Sequence, residues 1–205
     1  MKGTDGILLF GGAFNPPHTS HRRALQQAQA QLPVSETLIL PTGQHPLKPT
    51  AGLAPADDRL KLCQIAFHDV PGVTVSDLDL RRPGPSYTID TLAEVQSRFP
   101  GRRLFWLIGA DNLQTLNQWH AYRELLRAAT LVTIPRRGHP TTRADLADLD
   151  LPDADTDSLL AHVLQVEADD TSSTAIRAAI RAGQRPAAVD PAVLDEILER
   201  GLYSS

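Results

Sequence analysis

Apolar positions along the chain follow two rhythms. Short strand-like runs are ILLF (7–10), TLIL (37–40), VTVSDLDL (73–80), RLFWLIG (103–109), TLVTI (130–134) and HVLQV (162–166). Between most of them lie stretches with helical spacing. Residues 20–31 carry Ala24, Leu25 and Ala28, extended by Leu32, and residues 55–68 open on Pro55 and stack Leu60, Cys63 and Phe67. Residues 88–99 place Ile89, Leu92, Val95 and Phe99 in one stripe, and two further helices are expected at 173–182 and 190–199. Such alternation predicts an α/β fold with a parallel sheet and helices on both faces. The segment 141–157 breaks the rhythm with six aspartates in 17 residues, and reads as an acidic, partly mobile surface insertion.

Composition narrows the function classes. A chain of 205 residues fits one large domain, here 1–205. Its net charge of −4 gives no bulk electrostatic basis for binding nucleic acid or a membrane, so an anionic ligand must be held by local positive groups. Cys63 is the only cysteine, which excludes an internal disulfide and a cysteine-rich zinc site. No apolar run approaches the ~18 residues of a membrane span, and the apolar core near the start is too short for a signal peptide, so the expected location is cytoplasmic.

Chemistry enters at GGAFNPPHTSH (11–21), directly after the first run. Open α/β sheets bind ligands at the carboxyl ends of their strands. Gly11 and Gly12 allow close backbone approach, Pro16 and Pro17 stiffen the loop, and Thr19 or Ser20 can cap a helix whose free N–H groups attract anions. Arg22 and Arg23 oppose the helix dipole unless an anion is bound nearby or they reach into water. His18 and His21 are spaced i, i+3 and can face one site, or serve as a cap and a surface residue. There is no HExxH and no GKS or GKT, so neither a zinc site nor a Walker loop is indicated.

This loop resembles the HxGH loop of the nucleotidylyltransferase superfamily, with Ser20 where those enzymes usually have glycine. TSSTAIRAAIRAG (171–183) resembles their C-terminal SSTxxR motif. PGPSYTIDTL (83–92), GADNLQTLNQW (109–119), LPTGQHPLKP (40–49) and the ending ERGLY are similar to nicotinate mononucleotide adenylyltransferases, although Leu47 stands where a histidine often precedes the lysine. The resemblance implies a Rossmann-like, doubly wound, mainly parallel sheet, with a helical phosphate-binding part at about 171–205.

It also implies roles. His18, His21 and Arg177 would be catalytic. ATP would be held by Gly12, Ala13, Phe14, His18, His21, Asp111, Arg136, Ser172, Ser173, Thr174 and Arg177. Nicotinate mononucleotide would meet Lys48, the N–H groups of Tyr87 and Thr88, and the ring of Trp119. The residues have plainer uses as well: Trp119 in the core, Ser172 or Asp111 as helix caps, Lys48 as a solvated loop lysine. Mg2+ would arrive with ATP and needs no carboxylate cage. The implied reaction is adenylyl transfer to nicotinate mononucleotide with loss of pyrophosphate. Nicotinamide mononucleotide or phosphopantetheine as acceptor, a non-catalytic nucleotide sensor of the same fold, and a homo-oligomer are left open.

Overall fold

The computed structural model describes residues 5–47, 52–166 and 171–204. Five parallel strands form one sheet, in the order β3-β2-β1-β4-β5. They are β1 (Gly6–Gly12), β2 (Val34–Pro41), β3 (Val73–Val75), β4 (Leu104–Gly109) and β5 (Thr130–Ile134). The chain crosses from one half of the sheet to the other after β3, so the carboxyl ends of β1 and β4 flank a topological switch point, where such sheets open a crevice.

The continuous apolar strands are explained by burial on both faces. Successive side chains point to opposite faces of a strand. Leu8 and Phe10 of β1, with Phe105 and Leu107 of β4, enter one core, whereas Ile7, Leu9, Leu104, Trp106 and Ile108 enter the other. The first core is closed by α1 (Thr19–Gln31), α2 (Ala56–Phe67), α8 (Ser173–Arg181) and α9 (Pro191–Glu199). The second is closed by α3 (Leu78–Arg81), α4 (Thr88–Arg98), α5 (Ala110–Leu113), α6 (Tyr122–Ala128), α7 (Asp153–Ala161) and two 3-10 segments, Leu116–Gln118 and Ala144–Leu149.

Three expectations need correction. The strand read over 73–80 stops at Val75. The Ser76 N–H makes a last bond to the Ile39 carbonyl (2.9 Å), and the Asp77 carbonyl then takes the N–H groups of Leu80 and Arg81, turning the chain into α3. HVLQV (162–166) is not a strand: a single bridge joins Val163 to Thr133 at the sheet edge. The acidic segment is more than a surface insertion. Leu146 and Leu149, with Leu159 just beyond the segment, are buried in the second core, and five of the six aspartates lie between these anchors. Asp153 and Asp155 sit in the first turn of α7, where negative charge favours a helix start.

Candidate active site

At the carboxyl ends of β1 and β4 the sheet opens into a cavity of about 840 Å3. Gly11 passes against Trp106, and a Cβ there would lie 2.6 Å from the indole, so only glycine fits. Gly12 and Ala13 continue along the cavity wall. Phe14, expected beside ATP, does not line it. Its ring is buried, edge-on to Phe10, Phe67 and His21, at centroid distances of 5.4, 6.0 and 5.0 Å. Phe14 adopts φ +45, a left-handed conformation that a bulky residue holds only when its surroundings impose it.

Those surroundings are a set of side chains from distant parts of the chain. The Arg59 guanidinium, 2% exposed, donates to the Ala13 carbonyl (2.8 Å) and the Ala54 carbonyl (3.1 Å). Arg177 donates to the Asn15 carbonyl (2.9 Å), and Ser173 Oγ to the Pro16 carbonyl (3.2 Å). Asn15 Oδ1 accepts from the Ala54 N–H (2.9 Å) and the Tyr203 hydroxyl (2.8 Å), while Asn15 Nδ2 donates to the Gly52 carbonyl (2.9 Å). Burial raises the pKa of the Tyr203 hydroxyl, so it stays protonated and serves as a donor.

The histidines follow at the start of α1. Their rings stack at 3.7 Å with 30° between planes. His21 Nδ1 accepts from the His18 N–H (3.2 Å), so a neutral His21 carries its proton on Nε2. His21 lines the cavity, whereas His18 is buried behind it as the first residue before the helix. Of the two arginines that follow, Arg23 lines the cavity. Arg22 is engaged elsewhere, bidentate on Asp69 at 2.5 and 2.7 Å.

Desolvation, followed by the nearby charges of His18 and Arg136, lowers the His21 pKa well below the ordinary imidazole value. Above pH ~6.5 the residue is neutral in both folded and unfolded chains and adds no pH dependence. Below that pH the unfolded chain takes up the proton first, so stability is lost as pH falls towards the folded pKa. The ligand-free protein should therefore lose thermal midpoint below pH ~6.5 more steeply than His21→Ala. Parallel midpoint-against-pH curves would show that His21 is not the group responsible.

The C-terminal motif meets the loop, but its residues do not line the cavity. Ser172 Oγ caps α8 by accepting from the Ala175 N–H, and Thr174 Oγ1 accepts from Arg177. Ser173 and Arg177 hold the loop as described above. An arginine has five N–H donors, and the two bonds seen here leave others available for an anion.

The opposite end of the cavity is built from two loops. The Ser86 N–H donates to the Gln44 carbonyl (2.8 Å), and the Gly43 N–H to Ser86 Oγ (3.1 Å). Tyr87, Thr88, Trp119 and His120 line the wall, with the rings of Tyr87 and His120 at 4.5 Å. Trp119 both faces the cavity and packs on the second core. The expected pair of amides is reduced to one. The Tyr87 N–H is bonded to the Pro85 carbonyl (3.2 Å), leaving that of Thr88 at the start of α4. Lys48 lies outside the described residues.

Beneath this turn Asp79 is buried and accepts from Thr91 Oγ1 (2.5 Å) and Arg82 (3.2 Å). Burial raises its pKa, and those two partners oppose the rise. At the end of β4 the Asp111 carboxylate lies 3.8 Å from Arg136 Nε, and only Arg136 of the pair lines the cavity. Among the described residues no group of three or more His, Cys, Asp or Glu side chains gathers to hold a metal, and no helix is long and apolar enough to cross a membrane.

Several site residues were missed by sequence reasoning. His120 had a signal, since it follows Trp119 directly. Asn15 lies inside the quoted loop, but its side chain acts on residues 37 to 39 positions away. Arg59 carried no local signal, and Tyr203 entered only as the last residue of ERGLY, with no role attached.

The family model described as cytidylyltransferase-like matches residues 9–179. The chain is 35% identical over 200 residues to a Dehalococcoides mccartyi (strain CBDB1) protein named "Probable nicotinate-nucleotide adenylyltransferase", covering 97% of this chain and 96% of that one. A Gemmatimonas aurantiaca protein of the same name is 36% identical over 197 residues, covering 95% and 90%. In fold the chain is similar to the Plasmodium falciparum nicotinic acid mononucleotide adenylyltransferase complexed with NaAD, with a TM-score of 0.75 at 15% identity over 98% of both chains.

Proposed function

Since the chain belongs to the cytidylyltransferase-like family, among the nicotinate-nucleotide adenylyltransferases, we propose that its cavity joins ATP to nicotinate mononucleotide and releases pyrophosphate. The observation that carries this reading is the two-ended cavity. One end is the start of α1, with His21, Arg23 and Arg136 facing in; the other is an aromatic wall with a helix-start amide. Polyanions suit the first end and a flat ring with a carboxylate suits the second.

The chemistry needs positioning rather than a nucleophilic residue. The mononucleotide phosphate is already largely dianionic at neutral pH, its second pKa being ~6. One of its oxygens attacks the α-phosphorus of ATP; the new P–O bond forms as the bond to the bridging oxygen breaks, and that electron pair leaves with pyrophosphate. The protein contributes donors aimed where this charge develops, foremost His21 Nε2–H. Mg2+ enters as part of the ATP substrate complex and neutralises phosphate charge.

Pyrophosphate release with ATP, Mg2+ and each acceptor tests the reading. The Thr88 N–H at the positive end of α4 favours a carboxylate over an amide, because charged acceptors make stronger hydrogen bonds. Nicotinate mononucleotide should therefore exceed nicotinamide mononucleotide in kcat/KM by at least about tenfold. Equal values would remove the carboxylate reading. ATP binding without pyrophosphate release would identify a sensor, and preference for phosphopantetheine a different transferase.

A further inference from the structure

The acceptor end of the cavity rests on a buried carboxylate that the transfer chemistry does not use. Asp79 is 4% exposed, yet it lines the cavity wall. Its main-chain carbonyl accepts from Ser86 Oγ (3.5 Å), just ahead of the Tyr87–Thr88 turn. Its Oδ1 accepts from Arg82 Nη1 (3.2 Å) and from the hydroxyl of Thr91 (2.5 Å), a fully buried residue of α4 that does not line the cavity. Arg82 also donates to Thr91 Oγ1 (3.2 Å) and to Glu94 (2.9 Å), which ties α3 to α4.

Burying an acid here costs desolvation that a neutral residue would avoid. What the acid does follows from the single hydrogen of the Thr91 hydroxyl. Two acceptors lie within its reach, the Asp79 carboxylate at 2.5 Å and the Tyr87 carbonyl, four residues back, at 3.3 Å. The carboxylate is nearer and stronger, and takes the hydrogen. The Tyr87 carbonyl is left to the N–H groups of Asp90 (3.1 Å) and Thr91 (3.2 Å), which close the first turn of α4. A threonine hydroxyl that bonds back to the carbonyl four residues earlier bends a helix. The Tyr87 carbonyl and the Thr88 N–H belong to one planar peptide, so whatever turns the first also turns the second.

We propose that Asp79 is a positioning residue for the acceptor: by drawing the Thr91 hydroxyl away from the Tyr87 carbonyl, it sets the direction of the Thr88 N–H. The inference rests on the adenylyl-transfer reading of the cavity, in which that N–H receives the ring carboxylate.

The test uses the full chain, with the KM of each substrate measured separately. Asp79→Ala releases the Thr91 hydroxyl to the Tyr87 carbonyl. It should raise the KM for nicotinate mononucleotide about tenfold, the scale of one misaimed hydrogen bond to a charged group, with the KM for ATP nearly unchanged. The KM for nicotinamide mononucleotide should rise less, so the preference between the two acceptors narrows. Adding Thr91→Val removes the competing hydroxyl while keeping the side-chain shape, and the double variant should recover most of the nicotinate mononucleotide KM. A merely structural acid predicts the opposite, since a second loss in the same buried cluster adds to the first. Asp79→Asn retains a weaker, neutral acceptor and should show a smaller rise, again reversed by Thr91→Val. An unchanged mononucleotide KM in Asp79→Ala, an equal rise for both substrates, or a double variant no better than the single one would overturn the inference. If the wild type uses the two acceptors equally, the carboxylate reading falls along with it. If the wild type prefers nicotinate mononucleotide and Asp79→Ala keeps both that preference and the wild-type KM, only the Asp79 inference falls.

Discussion

His21→Ala lowers turnover by about 10²- to 10³-fold, the range for losing one preorganised donor, while affinity for ATP changes less. The expectation follows from how the ring is held. The His18 N–H occupies Nδ1, which fixes the proton on Nε2, and the stacked His18 ring and the edge of Phe14 fix its direction. A donor set in advance does most where charge appears late, on the leaving pyrophosphate. His21→Gln retains an N–H and should recover part of the loss. Measurement of kcat and KM for both variants decides the matter: near-normal kcat in a folded His21→Ala protein would take the histidine out of the reaction.

Arg177→Lys lowers kcat/KM for ATP by about ten- to a hundredfold, with the KM for the mononucleotide nearly unchanged. One guanidinium bonds the Asn15 carbonyl and Thr174 Oγ1 at once and retains further N–H groups for phosphate. Lysine offers a single point charge and cannot occupy several planar positions together. The variant separates the two substrates. A loss falling on the mononucleotide instead would assign Arg177 to the wrong substrate.

The part of the site legible in the sequence was what local rhythm encodes. Gly11–Gly12 after an apolar run, two histidines a helical turn apart, and Trp119 beside polar neighbours all report on their immediate surroundings. Arg177 and Ser173 were expected to hold the triphosphate; their partners here are backbone carbonyls of residues 15 and 16, a relation 157 to 162 positions long that no window can detect. Asn15 and Tyr203 meet for the same hidden reason. Strand lengths were overread where alternation continued past the last pairing: after Ser76 the Asp77 carbonyl starts a helix, and at Val163 only Thr133 pairs. The acidic segment misled in the opposite sense, because aspartates dominated its composition while Leu146 and Leu149 decided its packing.

The clasp on residues 13–16 also governs when the protein becomes competent. A ribosome makes this loop 157 to 188 residues before it makes the α8 side chains and Tyr203 that hold it. At roughly 5–20 residues per second that interval is on the order of ten seconds or more. The strained turn at Phe14 therefore waits as an open hand until the far end of the fold arrives. In the mature molecule the same dependence runs backwards: freeing α8 would release the carbonyls of Asn15 and Pro16 from Arg177 and Ser173.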